Sequence, residues 1–190
     1  MKVIIASDLH GAADATAEFV TRIEEEAPDK ILLLGDVLYH GPRNALPTDY
    51  APQRVIELLA PYQDRILAVQ GNCDAEVDQW MFSFSLLNEN LQIMDEETGI
   101  TLFATHGHRL GMNPDKPEEL IHLPEPCLFC SGHTHLKVLK QQEDTIFVNP
   151  GSIGIPKDDG AGYAVYENGH VALKTLSGST ISQISFSKHL

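Results

Sequence analysis

Apolar residues in the first part of the chain alternate between two patterns. Residues 2–7, 30–34 and 66–69 form short apolar runs that are typical of buried β-strands. Between these runs, apolar residues recur every three or four positions over residues 12–27, and Pro52 opens a second helical segment that extends to Leu59. The pattern predicts strand–helix–strand–helix–strand with parallel pairing, which is an α/β arrangement.

The second part of the chain consists mainly of short strand-like segments. The predicted strands there are 91–94, 100–104, 127–130, 138–141, 145–148, 162–166 and 171–175. Asn168 and Gly169 form a hairpin-turn signal between the last two strands, and a helix is predicted over residues 117–123. Because the sequence contains no linker and no repeat, we expect a single domain over residues 1–190 with two sheets.

The charge of the chain limits its partners. It has 27 acidic residues against 13 Lys and Arg, which gives a net charge of -14 at pH 7. An extended nucleic-acid footprint needs clustered basic residues, so none is expected here. A small phosphate ester is compatible with this charge, because divalent cations in a pocket would reverse the local field.

The cysteines and the start of the chain indicate a cytoplasmic protein. The chain has three cysteines, Cys73, Cys127 and Cys130, and its first residues do not resemble a signal peptide. An odd number of cysteines without a signal peptide favours reduced thiols. No run approaches the ~20 apolar residues that cross a membrane. A zinc site or redox pair at Cys127 and Cys130 is an alternative, but a structural zinc needs further ligands and a strand would place the two thiols on opposite faces. We expect buried thiols.

Five short polar segments each follow a predicted strand, at residues 7–10, 34–36, 70–74, 105–108 and 131–135. Since the carboxyl ends of parallel strands meet at one edge of a sheet, these segments should lie close together. Their candidate metal ligands are Asp8, His10, Asp36, Asn72, His106, His133 and His135. In an extended backbone Asp8 and His10 would share one side, as would His133 and His135, so each pair would face one centre.

Carboxylate, imidazole and amide oxygen suit manganese, magnesium, iron or zinc without any thiolate. Each segment alone is a weak signal. A single Asp-x-His is usually a surface or turn feature, Gly-Asp is common in turns, and a histidine at a strand end is more often a core or surface residue. The order and placement of all five segments together predict a metal centre.

The same five segments resemble the motifs of the calcineurin-like metallophosphoesterase superfamily, which are Asp-x-His, Gly-Asp, Gly-Asn-His-Asp or a variant, Gly-His and Gly-His-x-His. The small size of the chain, its Gly-Asn-Cys-Asp variant and residues 149–152 (Asn-Pro-Gly-Ser) are most similar to the YfcE-type phosphodiesterase subfamily. The resemblance implies an α/β fold of two packed mixed β-sheets flanked by helices, a four-layer αββα sandwich.

The resemblance also implies a ligand assignment for two divalent ions per chain. Asp8, His10 and His135 would hold one ion, and Asn72, His106 and His133 would hold the other. Asp36 would bridge them. Mn²⁺ is the expected metal, with Mg²⁺, Fe²⁺ or Zn²⁺ as alternatives. The implied activity is hydrolysis of a small phosphodiester by a hydroxide that bridges the two metals.

Three further residues are predicted to assist catalysis. Cys73 stands where many members of the superfamily have a histidine, and we hypothesise that it biases the enzyme towards diesters; alternatively, it only fills space. Asp74 is a candidate for holding the histidine rings in place. His108 would serve as a proton donor or contact the phosphate.

Other interpretations remain open at the level of sequence. Arg43 or Asn44, in the loop 39–44, would contact the phosphate, or the loop is simply solvated. A catalytically weak scaffold, like the retromer subunit related to these enzymes, is the main alternative to an enzyme, and a nuclease is a third. The predicted partner is a small phosphodiester, with no membrane, and a homo-oligomer is left open.

Overall fold

The computed structural model describes residues 1–110 and 123–187. Its strands are β1 (Lys2–Ala6), β2 (Lys30–Leu33), β3 (Ile66–Ala68), β4 (Asn90–Asp95), β5 (Ile100–Thr105), β6 (Cys127–Cys130), β7 (Lys137–Gln142), β8 (Thr145–Pro150), β9 (Gly162–Glu167), β10 (His170–Thr175) and β11 (Thr180–Ser185). The helices are α1 (Ala13–Glu26), α2 (Pro52–Leu59) and α3 (Glu76–Gln79), with 3₁₀ turns at Ala60–Arg65 and His108–Leu110.

The strands form two mixed sheets. The first has the order β11-β10-β9-β1-β2-β3, in which β1, β2 and β3 are parallel and the other neighbours are antiparallel. The second has the order β4-β5-β6-β8-β7, in which β5, β6 and β8 are parallel and the two edge strands are antiparallel. This architecture confirms the predicted α/β fold with two packed mixed sheets.

Alternating side chains of β1 show how the layers pack. Val3 and Ile5 belong to the apolar core between the two sheets, which also contains Leu102 and Leu128 of the second sheet. Ile4 and Ala6 point the other way, into a core shared with α1 and α2. Because both faces of β1 are covered, its residues form a continuous apolar run and do not alternate between apolar and polar.

The outer face of the second sheet carries its own apolar cluster. Phe103, Cys127, Phe129 and Phe147 pack there, while Cys130 lies in the core between the sheets. The two cysteines are therefore buried thiols on opposite faces of β6, as predicted. The helix predicted over residues 117–123 falls almost entirely outside the described residues.

The sequence missed two elements. Strand β11 has mostly exposed polar side chains, so it lacks the apolar alternation that marks a strand, and it forms only by pairing with β10. Helix α3 is a single short turn. Its start is stabilised by a hydrogen bond from the backbone N–H of Ala75 to the carboxylate of Asp78. Apart from the helix predicted over residues 117–123, the predicted elements are present, with ends that shift by one residue or, at the end of β8, by two.

A membrane crossing would need a long apolar helix. In the part of the chain that the structure describes, no helix has both the length and the apolar character for it.

Candidate metal centre

The five polar segments meet where β1, β2 and β3 of the first sheet and β5 and β6 of the second sheet end. Of the seven predicted ligands, Asp8, His10, Asp36, His106 and His135 are buried, His133 is half-buried and Asn72 is exposed. The site therefore has a closed side and an open side. Burying this many charged and polar groups together is costly unless they bind something of opposite charge.

Left-handed backbone conformations are concentrated at this site. Five predicted ligands have positive φ angles, at 55° for Asp8, 49° for His10, 55° for Asp36, 68° for His133 and 62° for His135. Few residues other than glycine adopt this region, and surrounding contacts must hold them there. The expectation that the Asp8–His10 and His133–His135 pairs lie on extended backbone is therefore wrong.

Asp8, His10 and His135 form the closed half of the site. Oδ1 of Asp8 lies 3.1 Å from Nε2 of His135 and 3.5 Å from Nε2 of His10, and the two Nε2 atoms are 3.2 Å apart. Oδ1 of Asp8 is fully buried and has no hydrogen-bond partner. Three ligand atoms that converge on one point, one of them unsatisfied, form a suitable cradle for a cation.

Backbone carbonyls fix the orientation of three imidazole rings. In each ring Nδ1–H donates to a carbonyl oxygen, so the lone pair of the neutral ring lies on Nε2 and faces the site. The bonds are from His10 to Tyr39 (2.8 Å), from His106 to Leu34 (2.6 Å) and from His135 to Ile155 (2.7 Å). The rings are thus set to bind a metal through Nε2.

Asp36 lies between the two halves of the site. Its Oδ2 atom is 3.7 Å from Nε2 of His10 and 3.5 Å from Nε2 of His106, while Oδ1 accepts a hydrogen bond from the backbone N–H of Cys73. On the open side, Nε2 of His106 is 3.1 Å from Oδ1 of Asn72. One carboxylate oxygen is thus shared between histidines of both halves.

His133 and His135 do not face one centre, which corrects the sequence-based expectation. The His133 ring lies with the open half, 5.2 Å from the His106 ring and 6.0 Å from the His108 ring between centroids. The His135 ring instead lies 5.0 Å from the His10 ring. The left-handed backbone at both residues turns their side chains to different halves, and this division agrees with the assignment that the resemblance implies.

The carboxylates control the charge of the site. Burial works to raise the pKa of Asp8, but two adjacent imidazoles outweigh it and hold that pKa well below its usual range. Burial works to lower the pKa of His106, but Asp36 and Asp8 raise it to about 9. Burial, together with the neighbouring His106, lowers the pKa of His133 to about 4. The carboxylates thus favour positive charge beside Asp8 and at His106, while His133 is neutral at pH 7.

Asp74 contacts backbone amides and not the histidine rings. Its Oδ2 atom accepts hydrogen bonds from the N–H groups of Asp36 (2.8 Å) and Gly71 (2.7 Å), and Oδ1 accepts one from Val37 (2.9 Å). Although these bonds lower it, burial raises the pKa of Asp74 to about 6. The expectation that Asp74 holds the rings is wrong; it holds the loops that carry Asp36 and Asn72, and carbonyls hold the rings.

Comparison with known proteins agrees with this geometry. The sequence model of the calcineurin-like phosphoesterase superfamily domain matches residues 1–169. The chain belongs to this superfamily. Phosphodiesterase YfcE of Escherichia coli (strain K12) is 39% identical over 182 residues, which are 95% of this chain and 95% of that protein. The solved structure of this E. coli phosphoesterase has a TM-score of 0.89 and covers 98% of this chain, with 100% of its own chain matched.

Two weaker matches are a curated protein and a solved structure. Probable metallophosphoesterase YsnB of Bacillus subtilis (strain 168) is 26% identical over 163 residues, 83% of this chain and 78% of that protein. Vps29 of Chaetomium thermophilum has a TM-score of 0.62 at 16% identity, with 98% of both chains covered. At that identity the likeness to Vps29 concerns the fold alone.

Cys73 and His108 adjoin the centre of this superfamily member. Cys73 is half-buried, and its Sγ atom lies within 4.8 Å of ligand atoms of His10 and Asp36. Burial, reinforced by Asp36, raises the pKa of the thiol to about 12, so it is neutral at pH 7. The His108 ring lies 5.2 Å from that of His106, and burial lowers its pKa. Their predicted catalytic roles stay predictions.

Residues 149–152 support the ligand loops, a role that sequence reasoning did not assign. The side-chain amide of Asn149 donates to the carbonyl of Gly132 (2.8 Å), and the Ser152 hydroxyl donates to the carbonyl of Asp8 (2.7 Å). Gly132 has no room for a side chain, because a Cβ atom there would lie 2.0 Å from Oγ of Ser7. The loops after β1 and β6 are therefore locked together.

A cavity of about 440 Å³ opens onto the metal centre. Its lining comprises Asp36, Arg43, Asn44, Asn72, His133, Thr134, His135 and Lys157. The loop 39–44 thus borders the centre, which is compatible with its predicted contact to substrate. Lys157 belongs to no motif, and the sequence offered no signal that would have placed it here.

Proposed function

We propose that this superfamily member is a metal-dependent phosphodiesterase that hydrolyses a small phosphodiester with two divalent ions. The observation that carries the proposal is Oδ1 of Asp8, a fully buried carboxylate oxygen without a hydrogen-bond partner, with Nε2 atoms of His10 and His135 within 3.5 Å. The similarity to E. coli phosphodiesterase YfcE supports a diester as the substrate.

The residues at the centre fit divalent ions. Asp8, His10 and His135 would hold the first ion, Asn72, His106 and His133 would hold the second, and Asp36 would contact both. Bound ions would supply an activated water at neutral pH and would offset phosphoryl charge. Carboxylate, imidazole and amide donors without thiolate are compatible with Mn²⁺, the metal expected from the resemblance, and with Mg²⁺, Fe²⁺ or Zn²⁺ as alternatives.

The protein itself supplies rigidity. Carbonyl bonds at Nδ1 keep Nε2 of three imidazoles aimed into the site, so little reorganisation accompanies binding. The half-buried His133 and the exposed Asn72 leave the second half accessible from the cavity, where a phosphodiester would enter. The closed half is shielded from solvent, which strengthens electrostatic interactions there.

Metal exchange tests the proposal. The protein is stripped with a chelator, reloaded separately with Mn²⁺, Mg²⁺ or Zn²⁺, and assayed with an aryl phosphodiester and the matching monoester. We expect hydrolysis of the diester that depends on metal and is greatest with Mn²⁺. No metal-dependent hydrolysis of either ester would overturn the enzyme assignment.

Asp36 provides the matched variants for this assay. Asp36→Asn keeps the size of the side chain but weakens its charge-based contact with both ions, and Asp36→Ala removes it. Both should reduce turnover by about a thousandfold or more, as expected when a group needed in the transition state is lost. Asp64→Asn, on the exposed surface, is the control. A fully active Asp36→Ala would refute a bridging role.

Two further proposals concern cellular location and domain organisation. The cysteine pattern supports a cytoplasmic location, and the absence of a linker or repeat in the sequence supports a single domain over residues 1–190. No contact in the described residues favours a protein-binding scaffold over an enzyme.

A further inference from the structure

Two basic side chains at the cavity are not engaged by acidic neighbours. Arg43 and Lys157 are both exposed and line the same cavity as Asp36 and His135. Within residues 1–110 and 123–187, neither forms an ion pair. In a chain with 27 acidic and 13 basic residues, most cations have an acid within reach, so two unpaired cations over one cavity indicate that an anion enters it.

Lys157 is kept unpaired by a specific arrangement. The two acids that follow it, Asp158 and Asp159, are both bound by Nζ of Lys137, at 2.5 and 2.9 Å. The backbone N–H of Lys157 donates to the carbonyl of His135 at 3.1 Å. Lys157 therefore lies beside a proposed metal ligand, while both of its acidic neighbours are bound by a different lysine.

The loop that carries Arg43 is held by hydrogen bonds at both ends. The carbonyl of Tyr39, at the start of the loop, accepts the Nδ1–H bond from His10 at 2.8 Å. The loop is closed by a hydrogen bond from the side-chain amide of Asn44 to the carbonyl of His40, also at 2.8 Å. Each cation thus lies on a segment that is anchored to an imidazole of the closed half.

The number of cations exceeds what a simple diester requires. A phosphodiester group carries one negative charge, which the two proposed metal ions would already offset. A substrate with additional negative charge would be repelled by a protein of net charge -14 unless local cations compensated. Arg43 and Lys157 supply that compensation inside the cavity.

We propose that Arg43 and Lys157 form a clamp for a second anionic group, a phosphate or a carboxylate, carried by the alcohol portion of the substrate. This inference rests on the proposed phosphodiesterase function and names its substrate class. Arg43 would bind the group through its planar guanidinium and Lys157 as a point charge.

Three chromogenic diesters with the same leaving group test the clamp. Ethyl nitrophenyl phosphate carries no second charge, whereas carboxyethyl nitrophenyl phosphate and phosphonoethyl nitrophenyl phosphate carry a carboxylate and a phosphonate. We expect the wild-type protein, loaded with Mn²⁺, to have a lower KM for both charged diesters. The carboxylate and phosphonate compounds show which anion the clamp prefers.

Two variants remove the cations one at a time. Arg43→Met and Lys157→Met should each raise the KM of the charged diesters about tenfold, as for the loss of one charge-assisted hydrogen bond. The KM of the ethyl diester, which lacks the second anionic group, should rise much less than the KM of the charged diesters. Arg54→Met, which removes an exposed cation on α2, controls for the change in net charge. Lys157→Arg should restore most of the affinity.

The outcomes separate this proposal from the function on which it rests. Equal KM values for all three diesters in the wild-type protein, or an equal rise for the ethyl diester in both variants, would overturn the clamp while the enzyme assignment stood. Absence of turnover on every diester would instead contradict the function. In that case calorimetric binding of the phosphonoethyl diester, to wild type and to Arg43→Met without added metal, still decides on the clamp. Equal affinities would reject it.

Discussion

The Nε2 atoms of His10 and His135 lie 3.2 Å apart, and both rings donate Nδ1–H to a backbone carbonyl. Two neutral rings in this arrangement would point their lone pairs at each other, which is unfavourable. A positive charge between the two nitrogens relieves the repulsion. This arrangement of the two rings therefore favours a bound cation between the two nitrogen atoms.

This relationship predicts that metal stabilises the folded state. Mn²⁺ at about a hundredfold excess over its dissociation constant should add about 2.7 kcal/mol to the free energy of unfolding. His10→Ala should lose most of this gain, because it removes one ligand of the closed half. Thermal unfolding with and without Mn²⁺ measures it, and His170→Ala, a substitution on β10, is the control. An undiminished gain in His10→Ala would show that the ion binds elsewhere.

Asp74 should stabilise the backbone of the loops that form the metal centre. Asp74→Asn replaces an acceptor of three backbone N–H groups with a side chain that has only one acceptor oxygen. We expect it to lower the free energy of unfolding by about 2–3 kcal/mol, since a buried donor is left unsatisfied, and to weaken Mn²⁺ binding. Denaturant unfolding and calorimetry measure the two effects.

Asp78→Asn is the matched control for Asp74, because Asp78 accepts a single N–H bond, from Ala75. Its cost should be below about 1 kcal/mol. If Asp74→Asn lowered turnover with stability and metal affinity unchanged, a direct catalytic role would replace the positioning role.

Cys73 should influence the preference for diesters over monoesters. The thiol is neutral at pH 7 and binds an anion poorly, whereas an imidazole would help to bind a dianionic monoester. Cys73→His should therefore raise kcat/KM for an aryl monoester relative to the matching diester by about tenfold. Cys73→Ser, similar in size, should leave the ratio unchanged. An unchanged ratio in Cys73→His as well would mean that the cysteine only fills space.

Glu26 links α1 to the first sheet and makes stability depend on pH. Partial burial works to raise its pKa, but Lys174 and Lys2 outweigh burial and lower the pKa below its ordinary value of 4.5. The stabilisation is complete above pH 4.5 and is lost as the pH falls through the lower folded-state pKa. Glu26→Gln should cost about 1–2 kcal/mol at pH 7, and the difference from wild type should shrink in acid.

Urea unfolding of the metal-free protein between pH 3 and pH 7 (roughly the range in which carboxylates titrate) measures this dependence. Glu25→Gln, which loses only an exposed contact with Arg22, is the control and should cost less than about 1 kcal/mol. If the loss in the free energy of unfolding caused by Glu26→Gln stayed constant down to the lowest pH, the ionic interaction of Glu26 with the two lysines would be contradicted.

Much of this architecture could be predicted from local patterns. Buried strands such as β1 and β2 are apolar because both their faces are covered, and α1 repeats its apolar residues because one of its faces is. Strand β11 escaped prediction because its mostly exposed side chains carry no such pattern, and only pairing with β10 specifies it.

The sequence by itself determined the types of ligand and their order, because each polar segment follows a strand whose apolar pattern is local. Only the tertiary structure decided how those ligands divide. His133 and His135 are separated by left-handed backbone that distant contacts maintain, and the ring orientations depend on the carbonyls of Leu34, Tyr39 and Ile155. Lys157 came to the cavity in the same way, through a bond to the carbonyl of His135. Such contacts join segments far apart in the chain, so no local pattern encodes them.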